Sequence, residues 1–502
     1  MQDRMIIREK VRKKIHQERQ EYETLSDSFV LQCATDGERG DARLFVELIR
    51  DNYIFDHTSR IWYRWDNHFW VEDGNNSILV ELDRLIEVYE KQCYLLASQA
   101  IGYIKKGNKS HAEEIEEKRK ILLKKISHLQ KKEWRRHVLE FACAGGNSLG
   151  ITGQEWDQRP HLLACPNGVL DLMGGTFREG RRDDYLKTIC PTEWKGLLAP
   201  APRWQEFLLQ ITDGDKELVD FLQRLFGYSL SGQVVEHIFP VFWGAGRNGK
   251  GVLQEVLNHI LGPLSLPVPA EMLLKQTYSR SSASPSPDIM ALRGKRMVWA
   301  SETGEGRKLD IAKVKWLVGG DRLVGRDVFG KRMVNFAPTH TLFLLTNSRP
   351  HIDPDDEAIW ERVFLIPFTL SFVDRPEAPH QRQRDPRLAS SLKQEASGIL
   401  AWLIQGLQAW QENGLQPPPK VLAATQGYRQ DEDHLQEFIN DCCILEPSAS
   451  VKASQITETY RNWCYFNKIE PLSNKKLGEK LSKKFEKKKS SNNLYKGIRL
   501  KS

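Results

Sequence analysis

Residues Gly244 to Gly251 read Gly-Ala-Gly-Arg-Asn-Gly-Lys-Gly, and Gly244, Gly249 and Lys250 fit the spacing G-x-x-x-x-G-K. Glycines at these places let backbone N–H groups turn toward phosphate oxygens. A helix starting at Lys250 aims its positive dipole end at the same oxygens, and the lysine reaches the β/γ positions. Gly244, Ala245, Gly246, Arg247, Asn248, Gly249, Lys250, Gly251 and Val252 therefore form the candidate nucleotide cradle. Gly251 departs from the pattern, because such loops carry Ser or Thr there to ligate Mg2+ through the hydroxyl. Either the loop is inactive or the metal takes a ligand from elsewhere.

Three further segments could complete the chemistry. The apolar run Lys295–Gly306 contains Ser301-Glu302 at the end of a predicted strand. A carboxylate there can polarise an attacking water, and a hydroxyl can hold the water shell of a metal. Glu302 is thus the candidate base, and Ser301 with Glu302 the candidate metal-side pair; a strand followed by a helix cap is the bland alternative. Thr339–Ile352 is another apolar strand, ending at Thr346-Asn347, and Asn347 is placed to sense a γ-phosphate or merely to start a turn. Arg362 follows a short helical stretch and precedes a strand, where it could stabilise transition-state charge in a neighbouring subunit. Between these strands, Lys313–Pro338 contains a predicted hairpin flanked by Arg326, Lys331 and Arg332, which could track a nucleic-acid backbone.

These residues need a buried strand before the glycine loop and an amphipathic helix after it. Phe239–Trp243 and Val252–Leu261 supply both. The expected fold class is α/β, with a P-loop core, an α+β N-terminal domain and a C-terminal winged-helix domain. The expected boundaries are a charged arm over 1–28, an N-terminal domain over 29–200 and a helical connector over 201–235, with Ala199–Arg203 as linker. The core follows over 236–375, a helical segment over 376–435 and a basic winged-helix unit over 436–502. Ile61–Gly74 alternates aromatic and polar residues and predicts a hairpin; its aromatics either stack on bases or form a small core. Ile115, Leu122, Ile126 and Leu129 recur at helical spacing within a charged stretch, which predicts a solvated helix packed along one edge. Asp374–Arg387 reads as a loop, and Glu446–Phe485 as helix–turn–helix.

The net charge is +7, and from Pro471 to Ser502 there are eleven Lys or Arg against two acids. The basic excess therefore sits at the C-terminal end, which points to a polyanion, with Lys475 and Lys476 as candidate DNA contacts. The eight cysteines show no C-x-x-C spacing, which argues for a reducing compartment and against a structural metal. No apolar run reaches the ~18 residues of a membrane span, and the charged N-terminus lacks the apolar stretch of a signal peptide. Localisation in the cytoplasm, that of a bacterial host, is the expectation.

The order of LQRLFGYSLSG, GAGRNGKG, VWASETGEG, KWLVGGDRLVGRD, FLLTNSRPHID and DEAIWERVFLIPF resembles the superfamily 3 helicases. More narrowly, it is similar to the helicase part of phage and plasmid primase–helicases and of the related poxvirus nucleoside triphosphatase. The upstream TDGERGDARLFVE and LLACPNGVLDL resemble that family's domain preceding the ATPase. The resemblance implies that the P-loop core is AAA+-like, with ATP and Mg2+ as cofactors, single-stranded and forked DNA as partner, and a homo-hexamer with ATP sites between subunits. It also implies roles for Lys250, Glu302, Asn347 and Arg362 in hydrolysis, and a contact from Lys315 to the neighbour's phosphates. No acidic triad suited to polymerisation is evident upstream, so a separate primase or polymerase is expected. The implied function is an ATP-driven ring helicase replicating a phage, prophage island or plasmid. Its rivals are an origin-binding initiator that uses ATP only to assemble and a DNA-sensing defence ATPase.

Overall fold

The computed structural model describes residues 25–276, 284–302, 304, 306–326, 328, 333–467, 471–488 and 493–501. Most of the proposed arm over 1–28 therefore lies outside the described residues, as do Lys331 and Arg332.

The N-terminal part packs helices against a small sheet. Strands β1 (Tyr53–Asp56), β2 (Ile61–Asp66), β3 (Phe69–Glu72) and β4 (Gly150–Ile151) are ordered β3-β2-β1-β4. Helices Gly37–Ile49, Asp83–Lys105, Lys109–Leu129 and Lys132–Ala142 enclose Phe45, Leu85, Tyr89 and Leu122. On helix Lys109–Leu129 the residues Ile115, Leu122 and Leu129 are buried and Ile126 is partly buried, as the spacing predicts. The same helix buries Lys125 against Asp41, with Nζ 3.1 Å from the carboxylate. Asp41 also accepts from the Tyr89 hydroxyl at 2.6 Å and the Trp134 indole at 2.8 Å. In the β2–β3 hairpin, Tyr63 and Trp70 are buried with Trp156, so these aromatics form a core. Strands β5 (Leu162–Cys165), β6 (Gly168–Asp171) and β7 (Phe177–Arg178) make a second antiparallel sheet, whose first turn is Pro166-Asn167 with Gly168 already paired to Cys165.

The Ala199–Arg203 stretch is tied down. A helix begins at Pro202, and the backbone N–H groups of Arg203 and Trp204 donate to the Glu395 carboxylate at 3.1 and 3.0 Å. The chain breaks at Thr212–Asp215 before helix Lys216–Ser231, where the Asp215 side chain caps Leu218.

The central sheet has five strands: β8 (Phe239–Trp243), β9 (Ser265–Pro269), β10 (Met297–Ser301), β13 (Thr341–Thr346) and β14 (Val363–Pro367). Their order is β14-β8-β13-β10-β9 and every pairing is parallel. Near-continuous apolar runs suit strands covered on both faces; Trp299 stacks on Phe343, and Phe242 meets both rings edge-on. The α/β expectation thus holds in a mixed fold with a parallel sheet. Between β10 and β13, strands β11 (Leu323–Gly325) and β12 (Val334–Phe336) form the antiparallel base of a hairpin.

Strands β15 (Ser371–Val373) and β16 (Gln381–Gln383) pair in parallel, so the segment read as a loop contributes a short strand. Helices Leu388–Gln394, Ala396–Asn413 and Pro419–Asp431 follow. The last part runs helix His434–Cys442, β17 (Cys443–Lys452), helices Ala453–Phe466 and Asn474–Lys484, then β18 (Lys487–Lys488) and β19 (Leu494–Leu500). Its sheet is ordered β17-β19-β18. Glu446–Lys452 is strand rather than helix, because Ser450–Lys452 pairs with Leu494–Lys496. Among the described residues, no helix is long and apolar enough to cross a membrane.

Candidate nucleotide site

Parallel pairing brings the C-terminal ends of β8, β13 and β10 to one edge. Trp243 sits opposite Thr346, and Leu345 opposite Ser301. The loops that leave these strands are joined by backbone bonds: Gly244 N–H donates to Thr346 O at 3.3 Å, and Glu302 N–H to Leu345 O at 3.0 Å. Gly244, Asn347 and Glu302 therefore emerge side by side, as a site at the carboxyl edge of a parallel sheet requires.

Gly249 ends the loop at φ 87° and caps helix Lys250–Leu261. A Cβ there would lie 2.4 Å from Ile211 Cγ2, so only glycine fits against the connector helix. Arg247 adopts φ 52°, and its carbonyl accepts from Phe372 N–H at 2.6 Å. The buried Asn248 amide reaches Phe368 O at 3.5 Å. These contacts hold the loop while Ala245 and Arg247 stay exposed.

Lys250 is buried, and its Nζ donates to Gly244 O at 2.8 Å and Asn347 Oδ1 at 3.3 Å. Burial lowers its pKa to about 8. A nucleotide phosphate would restore the charged form, so the amine is placed for an anion. Around Gly251 a Cβ would meet nothing within 4 Å, so the space a hydroxyl would use is open. Val252 is half-buried in the first turn.

Glu302 is exposed at the strand end and adopts φ 64°. A left-handed non-glycine residue costs about 1–2 kcal/mol. Backbone of this kind persists where surrounding structure imposes it, often at working sites. Ser301 is half-buried beside it. Among the described residues, no group of three or more His, Cys, Asp or Glu is arranged to hold a metal. Ser301, Glu302 and the space at Gly251 fit Mg2+ only as an ion carried mainly by phosphate oxygens and water, which is its usual habit.

Arg362 lies elsewhere. It precedes β14, whose Val363 pairs with Phe239, the first residue of β8. It is therefore at the opposite end of the sheet from Lys250 of the same chain. One guanidinium N–H donates to Ala358 O, and Nε is buried without a hydrogen-bond partner among the described residues. Lys315 joins the same corner: its Nζ is 3.1 Å from Asp356, which caps the short helix Glu357–Trp360. Lys315 and Arg362 thus both bond to the 356–360 segment. Arg326 is bound through its backbone to Ser286 at the end of β11. Lys475 is exposed, whereas Lys476 is bound to Asp353 at 2.7 Å.

One contributor has no local sequence signal. The Trp243 indole donates to Asn347 O at 3.1 Å. The Arg349 guanidinium lies 5.1 Å from the Trp243 ring and 5.0 Å from the Tyr428 ring, and it pairs with Asp431 at 2.9 Å. Arg349 thereby ties the Asn347 turn to helix Pro419–Asp431.

Residues 42–213 match the family described as D5 N terminal like. The chain is 27% identical over 416 residues to a candidate helicase of Acanthamoeba polyphaga mimivirus, covering 80% of this chain and 42% of that protein. It is 24% identical over 331 residues to a candidate primase of African swine fever virus, covering 62% and 34%. The chain thus spans less than half the length of these curated relatives. A solved structure of the NrS-1 C-terminal region is similar over 91% of this chain and 99% of its own, at TM-score 0.45 and 11% identity.

Proposed function

We propose that the chain is a D5-like primase–helicase family member, an ATP-driven DNA helicase with an AAA+-like core and a C-terminal winged-helix domain. The observation that carries this reading is the shared edge: Lys250, bonded to Asn347, beside Glu302 on the next strand. The backbone amides of Gly244–Gly251 and the Lys250 amine bind the phosphates. Glu302 accepts the proton of the attacking water. Asn347 orients that water and contacts the γ-phosphate. Mg2+, held by Ser301 and Glu302 together with the phosphates, would neutralise charge on the transferred group.

Arg362 sits at the opposite end of the sheet from its own cradle, which favours a ring in which it, with Lys315 bonded to the same 356–360 segment, completes a neighbour's site. The family resemblance suggests six subunits. Single-stranded DNA would then pass the β11–β12 hairpins, with Arg326, Lys331 and Arg332 along the backbone, and a separate primase or polymerase would supply synthesis. Displacement of a labelled strand from a forked duplex tests this. ATP-dependent displacement, lost in Lys250→Ala, is expected, and binding without displacement contradicts it. A second reading, an initiator that assembles on ATP without unwinding, is favoured by Gly251 alone.

A further inference from the structure

Helix Asn474–Lys484 carries lysines in two rows. Lys475 and Lys483 share one face with Glu479, and Lys476, Lys480 and Lys484 share the next, by three- and four-residue spacing. The two rows are treated differently by the fold. Lys475 and Lys483 are exposed. The second row is taken: Lys476 lies 2.7 Å from Asp353, Lys480 lies 2.7 Å from Asp355 and 3.3 Å from Asp353, and Lys484 lies 3.4 Å from Asp433. Lys480 is buried by this docking.

Asp353 and Asp355 stand in the segment between Asn347 and Arg362. That segment is pinned to the C-terminal part elsewhere as well. Arg349 pairs with Asp431 at 2.9 Å, His351 bonds Glu432 at 3.1 Å, and Arg429 pairs with Glu357. Two carboxylates facing a lysine row are chemically what successive phosphates of a nucleic-acid strand present. The stretch from Pro471 onward also carries the whole basic excess of the chain.

We propose that Asp353 and Asp355 occupy a lysine row that also binds a nucleic-acid backbone. A bound strand then competes Asp353 and Asp355 away from Lys476 and Lys480 and removes one of the ties that hold the stretch between Asn347 and Arg362. This rests on the reading that the chain binds DNA. It adds that the binding surface is partly covered by the core, and that a strand on it competes with ion pairs to the segment that follows Asn347.

The test is binding of a labelled single-stranded oligonucleotide of mixed sequence to the full chain by anisotropy, between ~50 and ~200 mM salt. The variants are Asp353→Asn/Asp355→Asn, Lys476→Gln/Lys480→Gln and Lys475→Gln/Lys483→Gln. The asparagine pair removes the competitor and leaves both lysines available. It should bind more tightly, with a log–log salt slope steeper by up to about 1.4, the value for two contacts fully gained, or at most roughly seven-fold more affinity lost over that range. Lys476→Gln/Lys480→Gln should bind more weakly with a shallower slope. A row that merely glues the parts together predicts that both pairs shift binding in the same direction or not at all, and either result overturns the inference. If only Lys475→Gln/Lys483→Gln weakens binding, the DNA reading stands and this inference fails. If the native chain binds no strand at low salt, both fail.

Discussion

The Lys250 amine donates to the Asn347 side-chain oxygen across 3.3 Å, joining residues 97 positions apart at the mouth of the glycine loop. The contact makes one unit of the proposed phosphate-binding amine and the proposed γ-phosphate sensor. It also keeps the amine buried until an anion arrives.

The Lys250 amine titrates at about 8 because burial disfavours its charged form, against an ordinary value of 10.5. The cost of holding that charge is full below about 8 and disappears as pH rises toward 10.5. The unliganded chain should therefore gain stability across that window. Nucleotide affinity should fall over the same window, because the charged amine is the binding form. Calorimetric titration in buffers of different ionisation heat should show proton uptake on nucleotide binding above pH ~8, absent in Lys250→Met.

Glu302 links strain to chemistry. Glu302→Gln keeps the left-handed backbone and should leave stability unchanged while turnover falls by ~100-fold or more. Glu302→Gly relieves the backbone and should raise stability by up to ~1 kcal/mol, with turnover equally lost. Denaturant unfolding beside a phosphate-release assay separates the two effects.

The two loop glycines should respond in opposite ways. Gly249→Ala places a methyl 2.4 Å from Ile211 at positive φ and should disrupt the loop, lowering nucleotide affinity and stability together. Gly251→Ser meets open space, should fold normally with a gain of a few tenths of a kcal/mol in the helix, and should tighten Mg2+-dependent nucleotide binding. Parallel nucleotide titrations with and without Mg2+ check this.

The buried Asp41–Lys125 pair is a point of vulnerability in the N-terminal part. Asp41→Ala leaves a buried ammonium without its carboxylate and should cost roughly 3–5 kcal/mol. Asp41→Asn with Lys125→Met should cost less, since no lone charge remains. Denaturant melts of the full chain compare them.

The elements around the cradle were legible because their signals are local. Apolar runs ending in polar residues marked β8, β10 and β13, and the glycine spacing marked the loop. The burial of Ile115, Leu122 and Leu129 followed from period alone. What escaped depends on tertiary register. Arg349 gains its place from Trp243 and Tyr428, far away in the chain, and has no periodic signature. Lys476 belongs to a basic run whose composition cannot tell a free lysine from one docked on Asp353. The positive φ of Glu302 comes from the strand exit and is invisible in residue type. Ala199–Arg203 looked like a linker because prolines also start helices.

The most direct test of the central claim is steady-state ATP hydrolysis in Mg2+, with and without single-stranded DNA, for the native chain and Glu302→Gln. The account predicts that DNA stimulates turnover in the native chain and that the variant binds ATP without hydrolysing it. ATP bound by the native chain but never turned over, with DNA or without, would contradict it and leave the glycine loop a nucleotide site for assembly alone.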